Sequence, residues 1–171
     1  MRGAPVVSIE LLLDDDTERA VRAEWDALAA AGLSSLAAHT APSNRPHVTL
    51  LVRPELGPFA VAERAAFPVV LGAPLLFGSG DRRVLARSVL PSAALLELHA
   101  AVHGAAGPGE NAPHSAPGEW MPHVTLARRL KVADLDRALP LVGGDLHGRA
   151  RALRRWDAAS ATVTDLGGFR D

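Results

Sequence analysis

The pentamer Pro-His-Val-Thr-Leu occurs twice, at 46–50 and 122–126, with its histidines 76 positions apart (123 − 47 = 76). Each copy is a β-branched run behind a proline, the pattern of a strand entered from a loop. Around the two copies the chain repeats one order: strand, helix, proline-containing loop, pentamer strand, helix, strand. The apolar run 6–13 reads as the first strand, and 83–90 as its counterpart. From Ile9 to His47 is 38 residues, and from Ala86 to His123 is 37. Two copies are too few for a solenoid. They predict two lobes related by a pseudo-twofold axis, with repeats over roughly 5–77 and 82–157 and a closing strand at 161–166, all in one domain spanning 1–171.

The remaining elements follow from local signals. Asp16 or Thr17 can cap a helix running to about Ala31 and closed by Gly32, with Val21, Trp25 and Leu28 on one face. Residues 59–66 read as a helix, and 68–77 as an extended segment that Gly72 and Pro74 weaken. Gly78-Ser79-Gly80-Asp81 is a turn. A helix from Pro91 to about Ala105 carries Leu95, Leu98 and Val102 on one face. The Gly-, Pro- and Ala-rich stretch 104–118 is a loop, 132–141 a short helix and 149–156 a strand.

Composition bounds the function. Of the 171 residues 48% are hydrophobic and 22% charged, an ordinary globular balance. A net charge of −1 argues against broad electrostatic binding to a long duplex, although a small nucleotide in a locally basic cleft is compatible with it. With no cysteine there is no disulfide framework and no thiolate metal site. The first apolar run is too short to span a bilayer and lacks a signal-peptide cleavage pattern, so a cytoplasmic protein is expected.

Side chains alternate along a strand, so His47 and Thr49 share one face and Val48 and Leu50 the other; the same holds for His123 and Thr125 against Val124 and Leu126. If the axis brings the polar faces together, two imidazoles and two hydroxyls converge on a space the size of a phosphate. Histidine titrates near pH 6.5, so one ring can act as base while the other acts as acid. Threonine hydroxyls can donate to phosphate oxygens without adding charge. This chemistry requires neither a metal nor a cofactor. A single His-x-Thr is an ordinary half-buried histidine, and a pair of histidines can also ligate zinc, but no third ligand is evident. His99 and His103, four apart on the expected second helix, read as exposed. His39 and His114 lie in the loops that approach the motifs.

The two motifs, His47-Val48-Thr49-Leu50 and His123-Val124-Thr125-Leu126, resemble those of the 2H phosphoesterase superfamily. Pro122–Arg128 is similar to the bacterial branch of 2′,5′ RNA ligases and RNA 2′,3′-cyclic phosphodiesterases. The resemblance implies an α+β bilobal fold of mainly antiparallel sheet, with helices outside and a central cleft. It implies His47 and His123 as the catalytic acid/base pair, and Thr49, Thr125 and Arg128 as phosphate-binding groups. The partners it implies are RNA 2′,3′-cyclic phosphate ends or small cyclic nucleotides, bound by a monomer without a membrane and turned over to 2′-phosphates, with reversible 2′,5′ RNA ligation as a further activity. A non-catalytic nucleotide- or RNA-binding module is the alternative. That branch commonly has an aromatic in the strand after the Gly-rich turn, where this chain has Val84-Leu85-Ala86. Phe77 and Trp120 are the candidates for stacking a base instead.

Overall fold

The computed structural model describes residues 5–170. Among these residues seven strands and three α-helices follow in the order β1 (Val7–Leu13), α1 (Asp15–Ala30), β2 (His47–Arg53), β3 (Pro68–Phe77), β4 (Arg82–Val89), α2 (Ala93–Ala106), β5 (His123–Lys131), α3 (Leu135–Ala138), β6 (Leu146–Asp157) and β7 (Thr162–Gly168). The fold is α+β, and every pairing between these strands is antiparallel.

β1 lies between β2 and β6, and β4 lies between β5 and β3. The two arms β6-β1-β2 and β3-β4-β5 therefore have matching order and meet twice, at β2–β5 and at β3–β6. Each arm takes a strand from the other half of the chain: β6 completes the arm of β1 and β2, and β3 completes that of β4 and β5. β7 extends the first arm along β6.

The helices form where amphipathic spacing and caps agree. α1 begins two residues earlier than Asp16 suggests, because Asp14 accepts from the Thr17 backbone N–H at 3.0 Å and from its hydroxyl at 2.9 Å. Its acidic first turn (Asp15, Asp16, Glu18) suits the positive end of the helix dipole. It buries Val21, Trp25 and Leu28 as the spacing predicts. α2 is capped by Ser92 and closed by Gly107, whose φ of 69° favours glycine. The core joins Ile9, Leu11, Val48, Leu50, Val124 and Leu126 from the strands to those helix faces. No helix among the described residues is long and apolar enough to cross a membrane.

Two local expectations are corrected. Residues 59–66 form no helix. So short a segment gains too few internal hydrogen bonds to repay nucleation, and its backbone bonds the chain terminus instead, through Ala66 N–H to Arg170 O and Arg170 N–H to Arg64 O. His99 and His103 are buried rather than exposed, at 3% and 8%. The face of α2 that carries them packs on β2 and on the loop before β5. There each ring finds a carbonyl for Nε2–H: Ser115 O at 2.9 Å for His99 and Leu50 O at 3.1 Å for His103.

Candidate active site

β2 and β5 touch through one register pair, Val48 with Val124. Both valines are fully buried and point into the core. Antiparallel register continued one residue each way sets His47 opposite Thr125 and Thr49 opposite His123. By strand alternation all four share the opposite face; Thr49, His123 and Thr125 line the cavity there, and His47 is not among its lining residues. Positions directly opposite have Cβ atoms about 5 Å apart, and the diagonal that relates the two histidines spans about 7–8 Å.

The two rings are held alike. His47 Nδ1 lies 2.7 Å from Arg45 O, and His123 Nδ1 lies 2.8 Å from Met121 O, each the carbonyl two residues upstream. A carbonyl can only accept, so each Nδ1 carries the hydrogen and each neutral ring keeps its lone pair on Nε2. The threonine backbones are anchored from opposite sides of the seam. Trp25 Nε1–H donates to Thr125 O at 3.1 Å, and Trp120 Nε1–H donates to Thr49 O at 3.0 Å.

The surroundings break this symmetry. His47 Nε2 lies 3.5 Å from Oε1 of Glu10, a β1 residue only 4% exposed. Glu10 also accepts from Ser8 Oγ at 2.8 Å and from Arg154 Nε at 2.7 Å. His123 instead lies against Phe77, with ring centroids 4.5 Å apart. Burial pushes the His123 pKa below its ordinary 6.5, opposed by the Met121 carbonyl and reinforced by the neighbouring charge of His47.

A cavity of about 390 Å³ opens on the His123 side and is lined by Thr49, Phe77, Trp120, His123, Thr125 and Arg128. Five of the candidate residues therefore share its wall with His123. Arg128 is exposed there. Trp120 has one face covered by His99, with centroids 3.9 Å apart and planes 5° from parallel. His114 lines the same cavity. His39 is exposed and lines neither this cavity nor the larger one described below. Among the described residues no three His, Cys, Asp or Glu side chains are grouped to hold a metal ion.

Sequence reasoning missed Glu10 and its partner Arg154. Glu10 stood out only as a polar interruption of an apolar strand. Its meaning depends on a residue 144 positions away, and no local pattern encodes that pairing.

Comparison with known proteins agrees with this architecture. The structure is similar to that of Kluyveromyces marxianus Usb1, with a TM-score of 0.52 at 16% identity over 94% of this chain and 97% of that one. It is also similar to Escherichia coli LigT complexed with ATP, with a TM-score of 0.50 at 13% identity over 99% of this chain and 100% of that one. At such identities the likeness speaks to the fold. No curated protein matches the chain by sequence. The family pattern described as the 2′-5′ RNA ligase superfamily matches residues 17–168, which take in both motifs and all but the first strand, and the chain belongs to that superfamily.

Proposed function

We propose that the chain is a phosphodiesterase that hydrolyses 2′,3′-cyclic phosphate ends of RNA or small nucleotides to 2′-phosphates. The observation that carries this reading is the Val48–Val124 register, which puts two His-x-Thr pairs on one face, with each imidazole donating from Nδ1 to a backbone carbonyl so that Nε2 is left to exchange a proton. Water attacks phosphorus opposite the 3′-oxygen, so a P–O bond forms as the P–O3′ bond breaks. His123, lowered by burial and neutral, takes the proton from water at Nε2. His47, which faces the Glu10 carboxylate, gives its proton to the departing 3′-alkoxide. Environments that differ in this way are how paired groups divide into acid and base. Thr49 and Thr125 donate to the non-bridging oxygens, and Arg128 adds a positive charge at the rim.

Replacing water by a ribose hydroxyl in the same attack gives 2′,5′ ligation, which this geometry serves equally. The test is hydrolysis of a 2′,3′-cyclic nucleotide with chelator present, in wild type, His47→Ala and His123→Ala. Each variant is expected to lose roughly 10²–10⁴ in kcat, the usual worth of a positioned acid or base. Undiminished turnover in both variants overturns the assignment. Wild-type binding of the nucleotide without turnover leaves a binding module.

A further inference from the structure

A second cavity, of about 720 Å³, lies outside the constellation above. Leu12, Arg45, Arg154, Trp156, Val163 and Asp165 are among its lining residues. It adjoins the His47 side of the seam. Leu12 is the register partner of His47 on β1, Arg45 supplies the carbonyl that holds His47 Nδ1, and Arg154 binds the Glu10 that faces His47 Nε2. The His–Thr pairs thus have one cavity on each side.

The chemistry of this second cavity suits an uncharged aromatic group. Both of its arginines are already paired, Arg45 with Glu18 and Arg154 with Glu10, and Asp165 adds a negative charge at the wall. A phosphate would find no uncommitted cation here. Trp156 differs from the other two tryptophans. Trp25 and Trp120 each donate to a motif carbonyl and lie against Arg22 and His99 respectively. Trp156 is half-buried in the cavity wall, and among the described residues it stacks on no ring and its Nε1–H has no protein acceptor.

We infer that this cavity is a nucleobase subsite in which Trp156 stacks the base of the nucleoside preceding the one that carries the reacting phosphate. The inference rests on the proposed function for the site itself and adds that the substrate is an RNA end at least two nucleosides long. Stacking on an aromatic ring holds a base without reading its identity, so no strong sequence preference is expected.

The experiment compares a dinucleotide ending in a 2′,3′-cyclic phosphate with the corresponding mononucleoside 2′,3′-cyclic phosphate. Wild type should favour the dinucleotide by about tenfold in kcat/KM, an ordinary worth for one stacked base. Trp156→Ala should abolish that preference by raising KM for the dinucleotide, leave the mononucleotide unchanged, and be rescued in part by Trp156→Phe. An unchanged dinucleotide KM in Trp156→Ala, or an equal loss on both substrates, overturns the subsite. If wild type turns over neither compound, the proposed reaction fails. Calorimetric titration with the dinucleotide then decides the subsite separately: binding weakened about tenfold by Trp156→Ala supports it, and no difference overturns it.

Discussion

Glu10 faces His47 with Oε1 3.5 Å from Nε2, while its other carboxylate oxygen accepts from Arg154 at 2.7 Å. One buried carboxylate thus serves a structural cation and a site imidazole together. Glu10→Gln removes the charge and leaves Arg154, itself 5% exposed, buried without its counter-ion. Breaking such a pair is expected to cost about 3–5 kcal/mol in denaturant unfolding. It should also lower kcat more than it raises KM. The double variant Glu10→Gln/Arg154→Met separates the two effects: stability should return while turnover stays low. Recovery of both would reduce Glu10 to a structural role.

The contact between Phe77 and His123 predicts a pH dependence. As the proposed base, His123 must be neutral to work, and burial lowers its pKa from 6.5. The acidic limb of kcat/KM should therefore fall below pH 6.5. Phe77→Ala admits water to the ring, removes part of that desolvation and should move the limb upward towards pH 6.5. A pH–rate profile for both proteins checks this. An unmoved limb would mean that Phe77 does not dry the imidazole.

The parts of the fold legible in the sequence are those where local pattern and tertiary demand coincide. The pentamers are strands, and α1 and α2 bury the residues their spacing indicates. The face shared by His47 and Thr49, and by His123 and Thr125, follows from strand alternation alone. Pairings between distant segments were not legible. The exchange of β3 and β6 between the arms is set by the joining edges rather than by chain order. The histidines of α2 show why residue type misleads: Ser115 and Leu50 supply buried carbonyl acceptors from segments far along the chain. Trp156 lies in the strand expected at 149–156, yet the cavity beside it is made by β1, β7 and the loop before β2.

His99 and His103 predict acid sensitivity of the fold. Burial pushes His99 down to about 4 despite its Ser115 carbonyl, and pushes His103 down in the same direction. Below pH 6.5 the unfolded chain therefore binds more protons than the folded one. Stability should be full above pH 6.5 and decline as pH falls from 6.5 towards about 4. Denaturant midpoints across that range test it. His99→Gln, which cannot take up the proton, should flatten the decline even where it is less stable at neutral pH. An equally steep decline would place the acid sensitivity elsewhere.

Gly148 predicts a requirement for close approach between β6 and the start of α1. A Cβ at this position would lie 2.7 Å from Asp14 Oδ2 and overlap the Thr17 hydroxyl. Asp14 cannot easily yield, because Oδ2 also accepts from Arg149 N–H at 2.6 Å while Oδ1 caps the helix. Gly148→Ala should therefore lower unfolding stability by about 1–3 kcal/mol, the range for overpacking. Adding Thr17→Ala removes the nearest obstacle, so the double variant should lose less than the sum of the singles. Strict additivity would show that the strand shifts away without straining the cap. Turnover below the melting temperature should stay near wild type, because the strain falls at the β6–α1 junction while β2 and β5 keep their register.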